Sequence, residues 1–195
     1  PFNDPGVDWK LIPDPLRPFG VSTNSNMAWV QHMYASLNQI GRAAFLMTSS
    51  LAKSNDSALR GLVERGAVEA VIDLGPDRLY RGVPVHLWLL NRRHEGKNAA
   101  ILFIDLRSIG VLRRPRIFTD AQIERTRLVV QQFRGSSQYL AESRSDWFEL
   151  DVPGYCTTRP LGTITSATEL DLAPSSYVTP IPRTEPKANL RELIQ

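Results

Sequence analysis

Apolar runs of strand length cluster between Gly41 and Arg107: Arg42-Ala-Ala-Phe-Leu-Met-Thr48, Val68-Glu-Ala-Val-Ile-Asp73, Val83-Pro-Val-His-Leu-Trp-Leu-Leu90 and Ala99-Ala-Ile-Leu-Phe-Ile-Asp105. Short, continuous and rich in branched side chains, they predict strands buried on both faces. Between the first two, Leu59, Leu62 and Val63 recur at helical spacing from Ser57 to Arg65, and Gly66 follows where a helix commonly ends in a left-handed residue. Strand, helix and strand in that order predict a parallel pair with a right-handed crossover. Upstream, Met27, Val30, Met33, Tyr34 and Leu37 form the stripe of an amphipathic helix, with Ser25 or Asn26 as its cap and Gly41 beyond its end. Downstream, Thr119 and Gln122 form a capping-box pair, and Ile123, Arg127, Val130 and Phe133 predict a helix ending near Gly135.

The flanks are less regular. Five prolines and two glycines within residues 1–25 predict a long loop, and such loops are usually functional. Beyond Ser136 the pattern weakens: Trp147–Val152 reads as a short strand, Ser166–Leu170 as a helical turn and Ala173–Pro186 as extended chain. The last nine residues, Lys187–Gln195, read as the start of a helix. Trp29 and Trp88 sit among apolar neighbours and are expected in the core, whereas Trp9 and Trp147 are expected to face a partner. The division this suggests is a unit over residues 1–135 and an irregular extension over 136–195.

Composition adds bounds. At 195 residues and 42% hydrophobic content, the chain can bury the core of one domain, or of one domain and a tail. Its net charge of +3 permits contact with nucleic acid without requiring it. One cysteine, Cys156, excludes an internal disulfide and points to a reducing, cytoplasmic setting. No run approaches the about 20 apolar residues that span a bilayer, so no membrane role is expected. His86 and His94 show no ligand spacing with each other or with Cys156, and no metal site is expected. Ser49 and Ser50 follow a strand, but no Gly-x-Ser-x-Gly elbow surrounds them, which argues against a hydrolase. The chain begins at Pro1 and not at Met, as expected of a processed chain or a piece of a longer reading frame.

Several strings, in order, give the chain a resemblance. They are Pro1-Phe2-Asn3-Asp4, Ser25-Asn-Met-Ala-Trp-Val-Gln-His32, Gly41-Arg-Ala-Ala-Phe45, Leu59-Arg-Gly-Leu-Val63, Val68-Glu-Ala-Val-Ile72, Pro84-Val-His-Leu-Trp-Leu-Leu-Asn-Arg92, Leu102-Phe-Ile-Asp105 and Asp171-Leu-Ala-Pro-Ser-Ser-Tyr177. Together the chain resembles the C-terminal part of the modification subunit of type I restriction-modification systems, in the N-6 DNA methylase family. The resemblance implies an α/β fold: the second half of a class I, Rossmann-like methyltransferase sheet, mostly parallel, with Val83–Leu90 as an inserted antiparallel strand reached through Arg81-Gly82. It implies transfer of a methyl group from S-adenosylmethionine to the N6 amine of a flipped adenine in duplex DNA. It also implies a separate specificity subunit, with or without a restriction subunit, as partners.

Residue by residue, Pro1 and Phe2 look like the tail of the family's Asn-Pro-Pro-Phe motif, with Phe2 as the ring that stacks on the base. The motif's Asn and its carbonyl-bearing Pro would precede residue 1. Asn3, Asp4, Asn26 and His32 are candidates near the site, although a lone histidine such as His32 also suits helix packing. Arg92, Arg93, Lys97, Arg113, Arg114 and Arg116 are candidates for DNA phosphates or, equally, for a solvated rim. No G-x-G turn occurs in the chain, so most of the cofactor site that the family implies is absent from it. The rival reading is a non-catalytic methyltransferase-like module that docks a specificity subunit or DNA.

Overall fold

Strands β2 (Val68–Asp73) and β4 (Ala100–Asp105) are buried at every residue, as continuous apolar runs require when both sheet faces are covered. They belong to a five-stranded sheet with β1 (Arg42–Thr48), β3 (Val85–Asn91) and β5 (Cys156–Pro160), in the spatial order β1-β3-β2-β4-β5. The computed structural model describes residues 17–22, 24–76, 82–94, 99–109, 117–139 and 150–181. The predictions made for Pro1, Phe2, Asn3, Asp4, Trp9, Lys97, Arg113, Arg114, Arg116, Trp147 and Lys187–Gln195 lie outside the described residues.

The mixed α/β fold class holds, with one change in the neighbours. β1 and β2 run in the same direction, but they are not a pair, because β3 lies between them and is antiparallel to both. Arg42–Thr48 faces Asn91–Val85 on one side of β3, and Val68–Asp73 faces the other side. The sheet does not stop at its inserted strand. β4 pairs parallel with β2, and β5 pairs antiparallel with β4. β5 was not anticipated, because Cys156-Thr-Thr-Arg-Pro160 is short and half polar; Thr157 and Thr158 are buried only because β4 lies alongside.

Alternation along the strands sends side chains to two apolar layers. On one side, helices α1 (Ser25–Ala35), α2 (Ser57–Glu64) and α4 (Leu161–Thr165) pack over Val71, Trp88 and Phe103 through Met27, Leu59, Leu62 and Ile164. On the other, α3 (Asp120–Tyr139) lays Val130 and Phe133 over Ala70, Leu102, Ile104 and Cys156. Trp88 is fully buried, as expected, but Trp29 is 45% exposed. At about 100° per residue, Trp29 points away from the stripe formed by Met27, Val30 and Tyr34.

Helix ends follow their chemistry. Asp56 accepts the Ala58 N–H at 2.8 Å to cap α2, and Gly66, at φ +78°, ends it in the expected left-handed conformation. The cap of α1 is Asn24, not Ser25 or Asn26; its Oδ1 accepts the Asn26 N–H at 2.9 Å. The Thr119–Gln122 capping box forms in both directions, at 2.9 and 3.3 Å. α3 runs through Gly135 to Tyr139 instead of ending near it. Past residue 149, the described part of the stretch expected to be irregular is ordered into the same sheet and core. Val152 makes a single bridge instead of a strand, helix α4 precedes the turn expected at Ser166–Leu170, and Pro174–Ser176 forms a 3-10 turn within the stretch expected to be extended.

A polar clamp ties α3 to the sheet. Glu69, 1% exposed, accepts from Asn91 Nδ2 at 2.8 Å and from Arg134 Nη2 at 2.7 Å, with Arg42 Nε 3.8 Å away. Removing one partner of a buried pair strands the other charge. Arg134→Ala is therefore expected to cost about 3 kcal/mol, the low end for such pairs because Arg134 is 35% exposed. Replacing both residues with leucine is expected to cost less than the single change, and urea unfolding of the three proteins checks the order.

Candidate functional site

Parallel strands bring their carboxyl ends to one edge of a sheet, where open α/β sheets place ligands. Here β1 ends at Thr48, β2 at Asp73 and β4 at Asp105, while antiparallel β3 delivers His86 to the same edge. Two of these strands close on an aspartate, and each aspartate caps the turn that follows. Asp73 Oδ1 accepts the Gly75 N–H at 2.8 Å, and Asp105 Oδ1 accepts the Arg107 N–H at 3.0 Å. Gly75 has φ +78°, and a Cβ there would stand 3.2 Å from Arg107 Cα, so a side chain at this position would strain the backbone and press on the Arg107 turn.

The charges at this edge are interlocked. The Arg107 guanidinium bonds both carboxylate oxygens of Asp105, its Nη2 reaching Oδ2 at 2.6 Å, and its Nε lies 3.5 Å from Asp73 Oδ2. His86 Nε2 is 3.4 Å from the same Asp73 oxygen. Burial by itself raises the Asp73 pKa, but hydrogen bonds from His86 and Gly75 and the charges of His86 and Arg107 outweigh it, holding the carboxyl below its ordinary range. Hydrogen bonding to Asp105 raises Arg107 above its ordinary value, against the opposing effect of burial.

Asn26 belongs to this edge. It is buried, and its Nδ2 lies 3.5 Å from Thr48 Oγ1, which in turn shares a hydrogen bond with Ser50 Oγ at 3.0 Å. The segment leading into α1 is fastened here too. Gln31, fully buried, accepts the Phe19 N–H and donates to Gly20 O, both at 3.0 Å, and Ser22 Oγ is hydrogen-bonded to Asp56. His32 sits farther along α1, half-buried, with its ring edge-on to Trp29 at 6.0 Å. Arg92 and Arg93 follow β3 at the opposite end of the sheet, about 20 Å from the aspartates at strand rise. Arg92 Nη1 donates to Leu37 O at 2.5 Å and its guanidinium lies over the Tyr34 ring, while Arg93 is exposed.

Sequence reasoning passed over Asp73, Asp105, Arg107 and Lys53, and weighed His86 only as a metal ligand. The available signal was an aspartate ending two apolar strand runs. Among the described residues no group of three or more His, Cys, Asp or Glu is placed to hold a metal, and no helix is long and apolar enough to cross a membrane. Cys156 is buried, its thiol pushed up to about 11 by desolvation, and its Sγ donates to Leu150 O at 3.3 Å, which leaves it unsuited to nucleophilic work. The turns after β1, β2 and β4 read Ser49-Ser-Leu, Leu74-Gly-Pro and Leu106-Arg-Ser, none of them Gly-rich, so the described residues do not fit an S-adenosylmethionine cradle.

Because the Asp73 pKa is lowered on folding, its contribution to stability is present above the unfolded value of about 3.9 and is lost as pH falls through the folded value. Asp73→Asn is accordingly expected to destabilise the protein at pH 7, and the gap to the wild type in urea unfolding to narrow steadily below pH 4. A gap that stays constant with pH would contradict the ionised pair.

Comparison with known proteins places this architecture. Over 188 residues the chain is 29% identical to the type I restriction enzyme HindI methylase subunit of Haemophilus influenzae, covering 91% of this chain and 40% of that relative. In structure it is similar to the methyltransferase subunit of a type I restriction-modification system from Streptococcus thermophilus. That match has a TM-score of 0.69 at 21% identity, over 86% of this chain and 34% of the other. A chain from a structure of the assembly and conformational transition of the type I R-M system matches with a TM-score of 0.60 at 17% identity, over 78% of this chain and 32% of the other. At such identities the structural likeness speaks for the fold. The family described as N-6 DNA Methylase matches residues 4–185, and this chain belongs to it.

Proposed function

We propose that the chain is the carboxyl-side part of an adenine-N6 DNA methyltransferase, acting as the modification subunit of a type I restriction-modification system in the cytoplasm. Its substrate is duplex DNA, and its methyl donor is S-adenosylmethionine. The observation that carries this reading is the family match across nearly the whole chain, on a sheet whose carboxyl edge gathers Asn26 and the interlocked aspartates. A specificity subunit, with or without a restriction subunit, is the expected partner, in keeping with the type I relatives.

The chain spans 40% of the curated relative, and two features support a missing companion half. Among the described residues β1 pairs only with β3, which leaves its outer edge open. Beside that edge, between α3 and the sheet, runs an apolar groove of about 530 Å³ lined by Ala44, Leu74, Leu87, Leu89, Phe118 and Ile123. An open strand edge next to an apolar groove calls for further sheet and helix. In this reading they are the half that carries the Gly-rich cofactor turn and the first two residues of the Asn-Pro-Pro-Phe motif. Pro1 and Phe2 then complete that motif, and Phe2 stacks on the flipped adenine.

A non-catalytic docking module is the alternative, favoured by the lack of a Gly-rich turn. One experiment separates them. The chain alone is expected to show no micromolar S-adenosylmethionine binding by calorimetry. The same chain joined to the upstream part of its reading frame is expected to transfer labelled methyl groups to adenine in duplex DNA. Tight cofactor binding by residues 1–195 alone would refute the split, and a joined protein without transfer would favour the docking module.

A further inference from the structure

The two faces of the sheet are not equally covered. On one face α3 lays Val130 and Phe133 over β2 and β4, whereas Ala44 of β1 and Leu87 and Leu89 of β3 front the apolar groove beside that helix. Ala44 is exposed, and Ile123, on the α3 wall of the groove, is 56% exposed. Apolar strands need a cover on each face.

The uncovered space has a definite size. β3 and β1 add two strand spacings, about 10 Å, beyond β2, the nearer of the strands under α3. Neighbouring helices pack roughly 8–10 Å apart, so the width suits a single helix. Strands of seven residues set its length at about 23 Å, which a helix of about 15 residues matches.

Chain direction says where such a helix comes from. α2 joins the parallel strands β1 and β2 on the face that also carries α1. α1 starts at the carboxyl edge, where Asn26 meets Thr48, and feeds β1 from that same face. Right-handed crossovers on one face step in one direction across a sheet, so a strand joined to β1 through α1 stands parallel to β1 at its open edge. α1 is then the whole connection between those two strands, and a helix on the opposite face belongs to chain before the added strand. The described carboxyl end lies elsewhere: Ile181 packs on Gly154 beside β5, at the far edge of the sheet. With this chain covering 40% of the curated relative, there is ample upstream polypeptide to supply both strand and helix.

We propose that the groove seats one amphipathic helix from the polypeptide upstream of residue 1, packed beside α3 over Ala44, Leu87, Leu89 and Ile123. It rests on reading the chain as the carboxyl-side part of a longer enzyme, and gives that missing half a second hold on the sheet besides the edge of β1.

Thiol labelling tests this in the protein joined to its upstream part, with Ala44→Cys and Ile123→Cys as reporters and Ala121→Cys as reference. Ala121 is exposed on the side of α3 away from the groove, and Cys156 is buried and unreactive. In the joined protein the thiols at 44 and 123 are expected to react at least tenfold more slowly than that at 121, while in the 195-residue chain all three react alike. Comparable rates in the joined protein overturn the helix, as a groove kept for a separate subunit would give; methyl transfer measured on the same sample then leaves the enzyme reading standing. Protection at 44 with 123 open is sheet extension without the helix, and overturns it too. Protection already present in the 195-residue chain gives the groove to that chain or to a second copy and also overturns the assignment. A protected groove in a joined protein that transfers no methyl group upholds the helix and counts against the enzyme reading.

Discussion

Insertion of β3 between β1 and β2 is the constraint on which the rest of the structure depends. Its backbone is paired along both edges, and its side chains are buried almost without interruption. A strand in that position has no solvent face, so Leu87 and Leu89 must fill the layer under α3 while Trp88 and Leu90 fill the layer under α1 and α2. Because β3 runs against its neighbours, its first residues arrive where β1 and β2 finish. His86 thereby meets Asp73, and the edge that collects the ends of the parallel strands also receives the start of the antiparallel one.

That edge is held by short-range chemistry. Asp73 and Asp105 each turn back to accept the N–H two residues on, and Arg107 spans the two carboxylates. The opposite end of the sheet is braced differently, by the Glu69 clamp from α3 and by Arg92 reaching Leu37 and Tyr34. The two ends divide the work. One brace is made of buried charge and cationic side chains that tie helices to strands, and the other leaves a polar cavity and a firmly anchored entry segment through Gln31 and Asp56.

Much of this was legible from residue order. The strands at Arg42, Val68, Val85 and Ala100, the helix from Ser57 ended at Gly66, and the Thr119–Gln122 capping box are local patterns with local causes, and all are present. The family resemblance rested on short strings in sequence order, and the match over residues 4–185 bears it out. Misreadings fell where the cause is not local. Trp29 looked like core because its neighbours are apolar, yet its direction on α1 is outward. Cys156–Pro160 carries little strand signal of its own and becomes a strand by lying along β4.

By itself, then, the sequence determined strands β1 to β4 and helices α1 to α3, where several of those helices start and stop, and to which family the chain belongs, because periodicity, capping and motif order act over a few residues at a time. Strand neighbours were decided by the tertiary structure alone. A run of apolar residues records that a strand is buried, not what it is buried against, and β3 therefore separates a pair that order along the chain had joined. The same reason hid the polar edge. Asp73, His86 and Arg107 are apart in sequence, and only the register of β2 against β3 and β4 sets them within reach of one another.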